Sequence, residues 1–284
     1  MHKLYPPWGA QTMLGMRLRI TVNPQVERNS SHVKSLDRAI DVLEALAQYP
    51  DGITITGLAS SIRLPKSSVF RVLSTLRERG YVLQHPASER YSLGFKFLSL
   101  ARAVAQESDL RNVAAVYIHR LRDETGETVH LAVPVGFSMV YIDKVESTRS
   151  VRLASRIGDI ATLHCTGLGK AYLAALPESE RKAIVANLTL ERRTSRTHTE
   201  KDMLLKELDK CARQDFAIDD VENEEGVRCV GAAIRAYHGE PIAAISVSAP
   251  SSRFSKKLAI AAGPVVARTA LEISRHLSDV GSVV

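Results

Sequence analysis

The sequence predicts an α+β protein: an N-terminal winged helix-turn-helix, a linker helix and a C-terminal domain built on an antiparallel sheet. Three observations carry this. Between residues 53 and 94, two short helical patterns separated by a tight turn run straight into two β-prone segments. At Glu127 the apolar period changes from that of a helix to that of a strand. Beyond it, strands come in hairpins between helices and not in regular βα alternation, which points to an antiparallel sheet.

Taken in order, residues 1–32 mix Pro, Gly and scattered cations without an apolar run, and read as a flexible extension, not a signal peptide. Residues 33–49 put Leu36, Ile40, Leu43, Leu46 and Ala47 on one stripe, with Ser35 expected as N-cap and Pro50-Asp51-Gly52 as terminator. A winged helix-turn-helix is expected over 33–94. Ile55, Leu58, Ala59 and Ile62 make a first short helical face, which breaks at Arg63-Leu64-Pro65. Pro65 suits the first position of the next helix, where its missing N–H costs nothing.

In that second helix Val69, Val72, Leu73 and Leu76 fall on one side. Ser67, Arg71, Ser74, Thr75 and Glu78 fall on the other, flanked by Lys66, Arg77 and Arg79. Short hydroxyls around an arginine suit a helix lying in the major groove, where arginine can pair with guanine. Ser67, Ser68, Arg71 and Thr75 are therefore expected at base edges, and Lys66, Arg77 and Arg90 at phosphates. Gly80 ends the helix. The runs 81–83 and 90–93 then flank a polar turn as the wing, which places His85, Ser88 and Arg90 at its tip.

Residues 95–107 form a further apolar-faced helix, so 95–108 is expected to be a linker helix that also packs on something. Residues 109–284 make the second domain. It starts with a helix over 109–125 that ends at Gly126. Strands are expected at 128–134 and 137–145 about a Val135-Gly136 turn, and a third at 151–157. Helices follow from 168, after Pro177 and over 199–214. Strands at 216–219, 226–237 and 241–249 precede a closing helix over 254–277.

The totals bound the function classes. A chain of 284 residues, 45% hydrophobic, suggests about two domains with real cores. Lys+Arg 38 against Asp+Glu 31, net +7, fits a nucleic-acid partner without requiring one. Three cysteines, Cys165, Cys211 and Cys229, show no CxxC spacing and imply a reducing, cytoplasmic setting without disulfides or structural zinc. No run reaches the roughly 18 apolar residues of a membrane span. No G-x-S-x-G, H-E-x-x-H or dinucleotide fingerprint occurs, so no cofactor, metal or catalytic residue is expected. The rival is a Cys229-dependent enzyme with an attached DNA-binding head, although Cys229 has no base near it in sequence.

Three segments of the second domain could bind a ligand. His164-Cys165-Thr166-Gly167-Leu168-Gly169-Lys170-Ala171 opens a helix with free amides, a seat for a carboxylate or phosphate, though it lacks the P-loop pattern. Residues 219–229 are acid-rich and read as a solvated loop, not a calcium site. Ser246 and Ser248 share one strand face and either hold a ligand together or lie buried and satisfied. From the residues alone, this half is a ligand-binding or dimerising module.

The text LASSIRLPKSSVFRVLSTLRERGYV, with HCTGLGKAYLA and FAIDDVENEEGVRCVGAAIRAYHGEPIAAISVSAP, resembles the bacterial IclR-type transcription regulators. The likeness runs through nearly everything after Val33. It implies a GAF/PAS-like effector domain and dimers, often paired into tetramers, on palindromic double-stranded operators. It also implies a small carboxylate or aromatic-acid effector that controls repression or activation, repression being the expected mode here. Carried over by motif, the effector site would use Gly167, Leu168, Asp219, Cys229, Ser246 and Ser248, with Leu153 as an apolar wall. Two departures bear on effector identity: Ala233 stands where the family text commonly has Pro, and Arg149 where an apolar wall residue is common. Arg149 could add a charge-assisted bond to an acid.

Overall fold

The computed structural model describes residues 33–106 and 109–281. The expected extension over 1–32 and the last residues of the linker lie outside the described residues. The chain divides at residues 107 and 108 into two compact units, each with its own core.

The first unit runs α1 (Lys34–Ala47), α2 (Ile55–Ser61), α3 (Lys66–Glu78), β1 (Val82–Gln84), β2 (Tyr91–Leu93) and α4 (Lys96–Gln106). Val42, Leu46, Leu58, Val69, Leu73, Val82 and Tyr91 form its core. Two starts differ from expectation by a residue or two. The Val33 carbonyl takes the amides of Leu36 and Asp37 at 2.9 and 3.1 Å, so α1 begins at Lys34 and Ser35 lies inside it, not at the cap. Pro65, with an extended ψ of 137°, precedes α3, and its carbonyl receives Ser68 and Val69.

The turn between α2 and α3 passes through Arg63 in the left-handed region, φ 52°. At the far end of α3, Gly80 takes φ 79° while its amide reaches the Arg77 carbonyl and the Tyr81 amide reaches that of Leu76, at 3.0 and 2.8 Å. Those two bonds make a Schellman cap, which only a residue free of a Cβ penalty enters cheaply. β1 and β2 pair antiparallel from Val82↔Leu93 to Gln84↔Tyr91. Ile53 bridges Tyr91 and ties the wing back to the start of α2.

The second unit runs α5 (Asp109–Thr125), β3 (Thr128–Val135), β4 (Ser138–Val145), β5 (Ile160–Thr162), α6 (Gly167–Ala175), α7 (Glu178–Asn187) and α8 (Lys201–Gln214). It continues with β6 (Ala217–Asp220), β7 (Val227–Arg235), β8 (Pro241–Pro250) and α9 (Lys256–Gly281). Its six strands form one antiparallel sheet in the order β5-β4-β3-β8-β7-β6. Strand alternation sends Val129, Leu131, Val230, Ile245 and Val247 into a core with Ile118, Leu121, Val266 and Ile273 of α5 and α9. Ala132, Met139, Ala217 and Ala244 face the other way, against Leu168 and Leu173 of α6 and Leu204 and Leu208 of α8.

Two expectations fail here for identifiable reasons. Residues 151–157 are not a strand; the short β5 pairs with β4 instead, Met139 opposite Ala161. The carbonyls of Leu153 and Ser155, which a strand would use in its ladder, are taken by the Lys144 ammonium at 3.0 and 2.7 Å. The acid-rich 219–229 segment is not a solvated loop at its start. Asp219 and Glu222 are buried, because Glu222 meets Lys170, which is 0% exposed, at 2.5 Å.

Candidate nucleic-acid interface and ligand site

On α3 the expected reading face is built as the periodicity requires. Lys66, Ser67, Arg71, Thr75 and Arg77 are exposed, while Ser68 is half-buried beside Val69. The Thr75 hydroxyl donates to the Arg71 carbonyl at 3.2 Å. Arg77 donates to Gln84 Oε1 at 2.6 Å and so joins the end of α3 to the wing. Arg90 donates to the Gly52 carbonyl at 3.1 Å, fixing the wing against the turn before α2. Both arginines are held in place by those bonds. Sequence reasoning passed over Phe70, which is 53% exposed on the same face as Ser67 and Arg71. Its signal was the i, i+3 spacing from Ser67.

In the second unit, strand register brings side chains far apart in sequence onto one face. Thr128 stands opposite Ser248, Ser248 opposite Cys229, and Cys229 opposite Asp219. The adjacent rank is His130 opposite Ser246 opposite Gly231. The Ser246 and Ser248 hydroxyls lie 3.4 Å apart, and Ser248 lies 3.4 Å from His130 Nδ1. Tyr141 stacks on the His130 ring at 4.6 Å. This is a polar row inside an otherwise apolar half-sandwich, and a buried polar row needs partners.

The segment that failed to be a strand lies across it. Ser155 Oγ is 2.7 Å from His130 Nε2, Leu153 is half-buried, and Lys144 holds the backbone there. Burial, and then the Lys144 ammonium, pull the His130 pKa down to about 3, so its ring is neutral. Sequence reasoning missed His130, Tyr141 and Ser155. The alternation Thr128, His130, Ala132 was the available signal, of the same kind as Ser246 and Ser248.

The glycine loop reaches the row from the other side. Thr166 caps α6 by accepting the Gly169 amide at 3.0 Å, which leaves the Gly167 and Leu168 amides at a helix start where no intrahelical partner exists. Gly231 fits directly against this turn: a Cβ on it would stand 2.7 Å from the Gly167 carbonyl group. Asp219, 1% exposed, accepts the amides of Glu222 and Asn223 at 2.7 and 3.3 Å. Burial, with the Glu222 carboxylate adding to it, pushes Asp219 up to about 7 despite those bonds and Lys170. For Lys170, burial pulls down, but the Glu222 charge and hydrogen bond outweigh it and hold the ammonium above its ordinary range. Burial, followed by Asp219, pushes the Cys229 thiol well up, away from the thiolate a nucleophile needs.

Arg149 is not brought to the row. Its guanidinium lies over Gly126 and 3.4 Å from the Glu127 carboxylate, which Arg253 also holds through two bonds of 2.7 and 2.8 Å. Ala233 lies away from the row as well, in a cleft of about 220 Å³ at the opposite end of α6 that Ala174, Phe216 and Arg235 also line. Among the described residues no His, Cys, Asp or Glu cluster could hold a metal ion. Nor is any helix among them long and apolar enough to cross a membrane.

Two family models match the chain: the IclR helix-turn-helix domain over residues 35–86, and the bacterial transcriptional regulator IclR C-terminal domain over 102–275. The chain belongs to the IclR family of transcription regulators. Among its relatives, the transcriptional regulator KdgR of Escherichia coli strain K12 is 35% identical over 235 residues, 83% of this chain and 89% of that one. The transcriptional repressor AllR of Salmonella typhi is 33% identical over 244 residues, 86% and 90% of the two chains. The crystal structure of Thermotoga maritima IclR superposes with a TM-score of 0.67 at 32% identity, over 87% of this chain and all of that one. This IclR-family member is thus a DNA-binding transcription regulator.

Proposed function

We propose that this regulator represses its targets by binding a palindromic duplex operator in the cytoplasm as a dimer or pair of dimers, and that a small carboxylate or aromatic acid sets its affinity. On DNA, Ser67, Ser68, Arg71 and Thr75 meet bases, and Lys66, Arg77 and Arg90 meet phosphates. In the second unit the acid lies along the polar row. The Gly167 and Leu168 amides and the Ser246 and Ser248 hydroxyls take its carboxylate, Asp219 and Cys229 line the floor, and Leu153 closes the apolar side. Arg149, already engaged by Glu127, takes no part in holding the acid. The repressor mode follows the relatives named repressors.

The observation that carries this reading is the row itself: four strands spend buried positions on hydroxyls, an acid and a neutral histidine, and a half-buried one on a thiol. Such groups, at the start of a helix, fit a polar ligand better than they fit each other. A thermal-shift screen over small carboxylic and aromatic acids tests it. One acid should raise the melting temperature and also change operator mobility in a gel, and Ser246→Ala/Ser248→Ala should lose both responses. An acid whose effect survives that double substitution binds elsewhere, and the row is then not its site.

A further inference from the structure

Ser67, Phe70, Arg71, Ser74 and Thr75 follow one another at helical spacing on the outward side of α3. All but one are polar. The other large apolar side chains of this helix turn inward: Val69 and Leu73 are buried, and Val72 and Leu76 pack against the same core. Phe70 alone points out, beside the start of α2, where a shallow recess is lined by Ile55, Lys66, Ser67, Phe70 and Arg71. An aromatic ring standing in water on this face can gain by burial against an apolar group when the helix is in use.

In the major groove the base edges display donors and acceptors and a single apolar group, the C5-methyl of thymine. We propose that Phe70 reads the methyl group of a thymine in each operator half-site, adjacent to the base that Arg71 contacts. This rests on α3 lying in the major groove. Ile55 extends the apolar floor of the recess, and Lys66 and Arg71 at its edge fit the charge of the flanking phosphates and guanine. Arg71 would supply the polar part of the code and Phe70 a part insensitive to hydrogen bonding.

The test uses the full chain. Sites are first selected from a random duplex library, and each thymine of the best site is then replaced singly by deoxyuridine, which removes the methyl and keeps the pairing. Binding is followed by fluorescence anisotropy. The expected result is one thymine per half-site whose replacement weakens the wild type about three- to tenfold. Phe70→Ala should bind the thymine and uracil duplexes equally, Phe70→Leu should keep part of the difference, and Arg71→Ala should retain it. If no replacement matters to the wild type, or Phe70→Ala discriminates as the wild type does, Phe70 does not read the methyl. A change in self-association on Phe70→Ala without any change in discrimination would instead make it a protein contact and overturn the proposal. Failure to enrich any sequence would sink the operator reading beneath it, a distinct outcome.

Discussion

Lys170 is an ammonium with no route to water, and Glu222 is what makes that tolerable. The pair sits under the glycine loop, with Asp219 next to Glu222 and the Glu222 Oε2 atom buried without a partner. Removing one charge from such a pair strands the other, whereas removing both leaves only a packing problem. Lys170→Met should therefore cost about 3–5 kcal/mol in urea denaturation. Adding Glu222→Leu should restore most of that loss, which a pair contributing only local packing would not show. Asp219 makes a pH prediction. Its folded value, about 7, stands above the ordinary 3.8, so the protonated acid favours the folded state and this contribution is lost as pH rises from about 4 through about 7. Asp219→Asn should be increasingly more stable than wild type over that window and hold a constant advantage above it, as urea midpoints at fixed pH would read. A midpoint difference that ignored pH would mean that Asp219 is already ionised in the fold.

Elements differ in how plainly the sequence declared them. The first unit was legible nearly to the residue because its signals are local: a 3.6-residue apolar period, Pro65 before α3, Gly80 after it, and two β-prone runs flanking a turn. Its errors, Ser35 and Pro65, are errors of two positions and of one at helix starts. The polar row was half legible. Ser246 and Ser248 show their shared face by spacing alone, but their neighbours come from β3, β7 and β6 through register, which no local pattern encodes. The burial of Glu222 was missed because its partner, Lys170, lies 52 residues away in a helix that reads as small and apolar. The contact of α6 with β7 carries its own prediction. Gly231→Ala would drive a methyl into the Gly167 backbone, so it should destabilise by about 1–3 kcal/mol or more and also blunt the response to acids in the thermal-shift assay. A fully stable Gly231→Ala variant would show that the turn can withdraw.

At the scale of the whole molecule, the proposed effector control requires that an acid on the polar row of one unit changes DNA binding by the helix of the other. The coupling such proteins need is modest, about 1–3 kcal/mol between acid and operator. Symmetric dimers place equivalent helices roughly 34 Å apart, or a multiple of it, along one face of the duplex. Inserting about five base pairs between selected half-sites should turn one half-site to the opposite face and cost most of the affinity, while about ten should restore much of it. Gel shifts on the three spacings check this, and equal binding to all three would mean that each head binds alone.

The turn of α6 rests on β7 backbone against backbone, with no side chain in between to yield. A joint without a cushion resists widening, so the row is stiffest where α6 meets β7. The opposite side is covered by a loop held mainly by side-chain bonds. There the covering segment is held by two bonds from the Lys144 ammonium, one between Ser155 and His130, and one from the Gly158 amide to the Tyr141 carbonyl. If the proposed acid lies on this row, a change in its preference would thus arise through residues 151–157, with Gly167 and Gly231 left untouched.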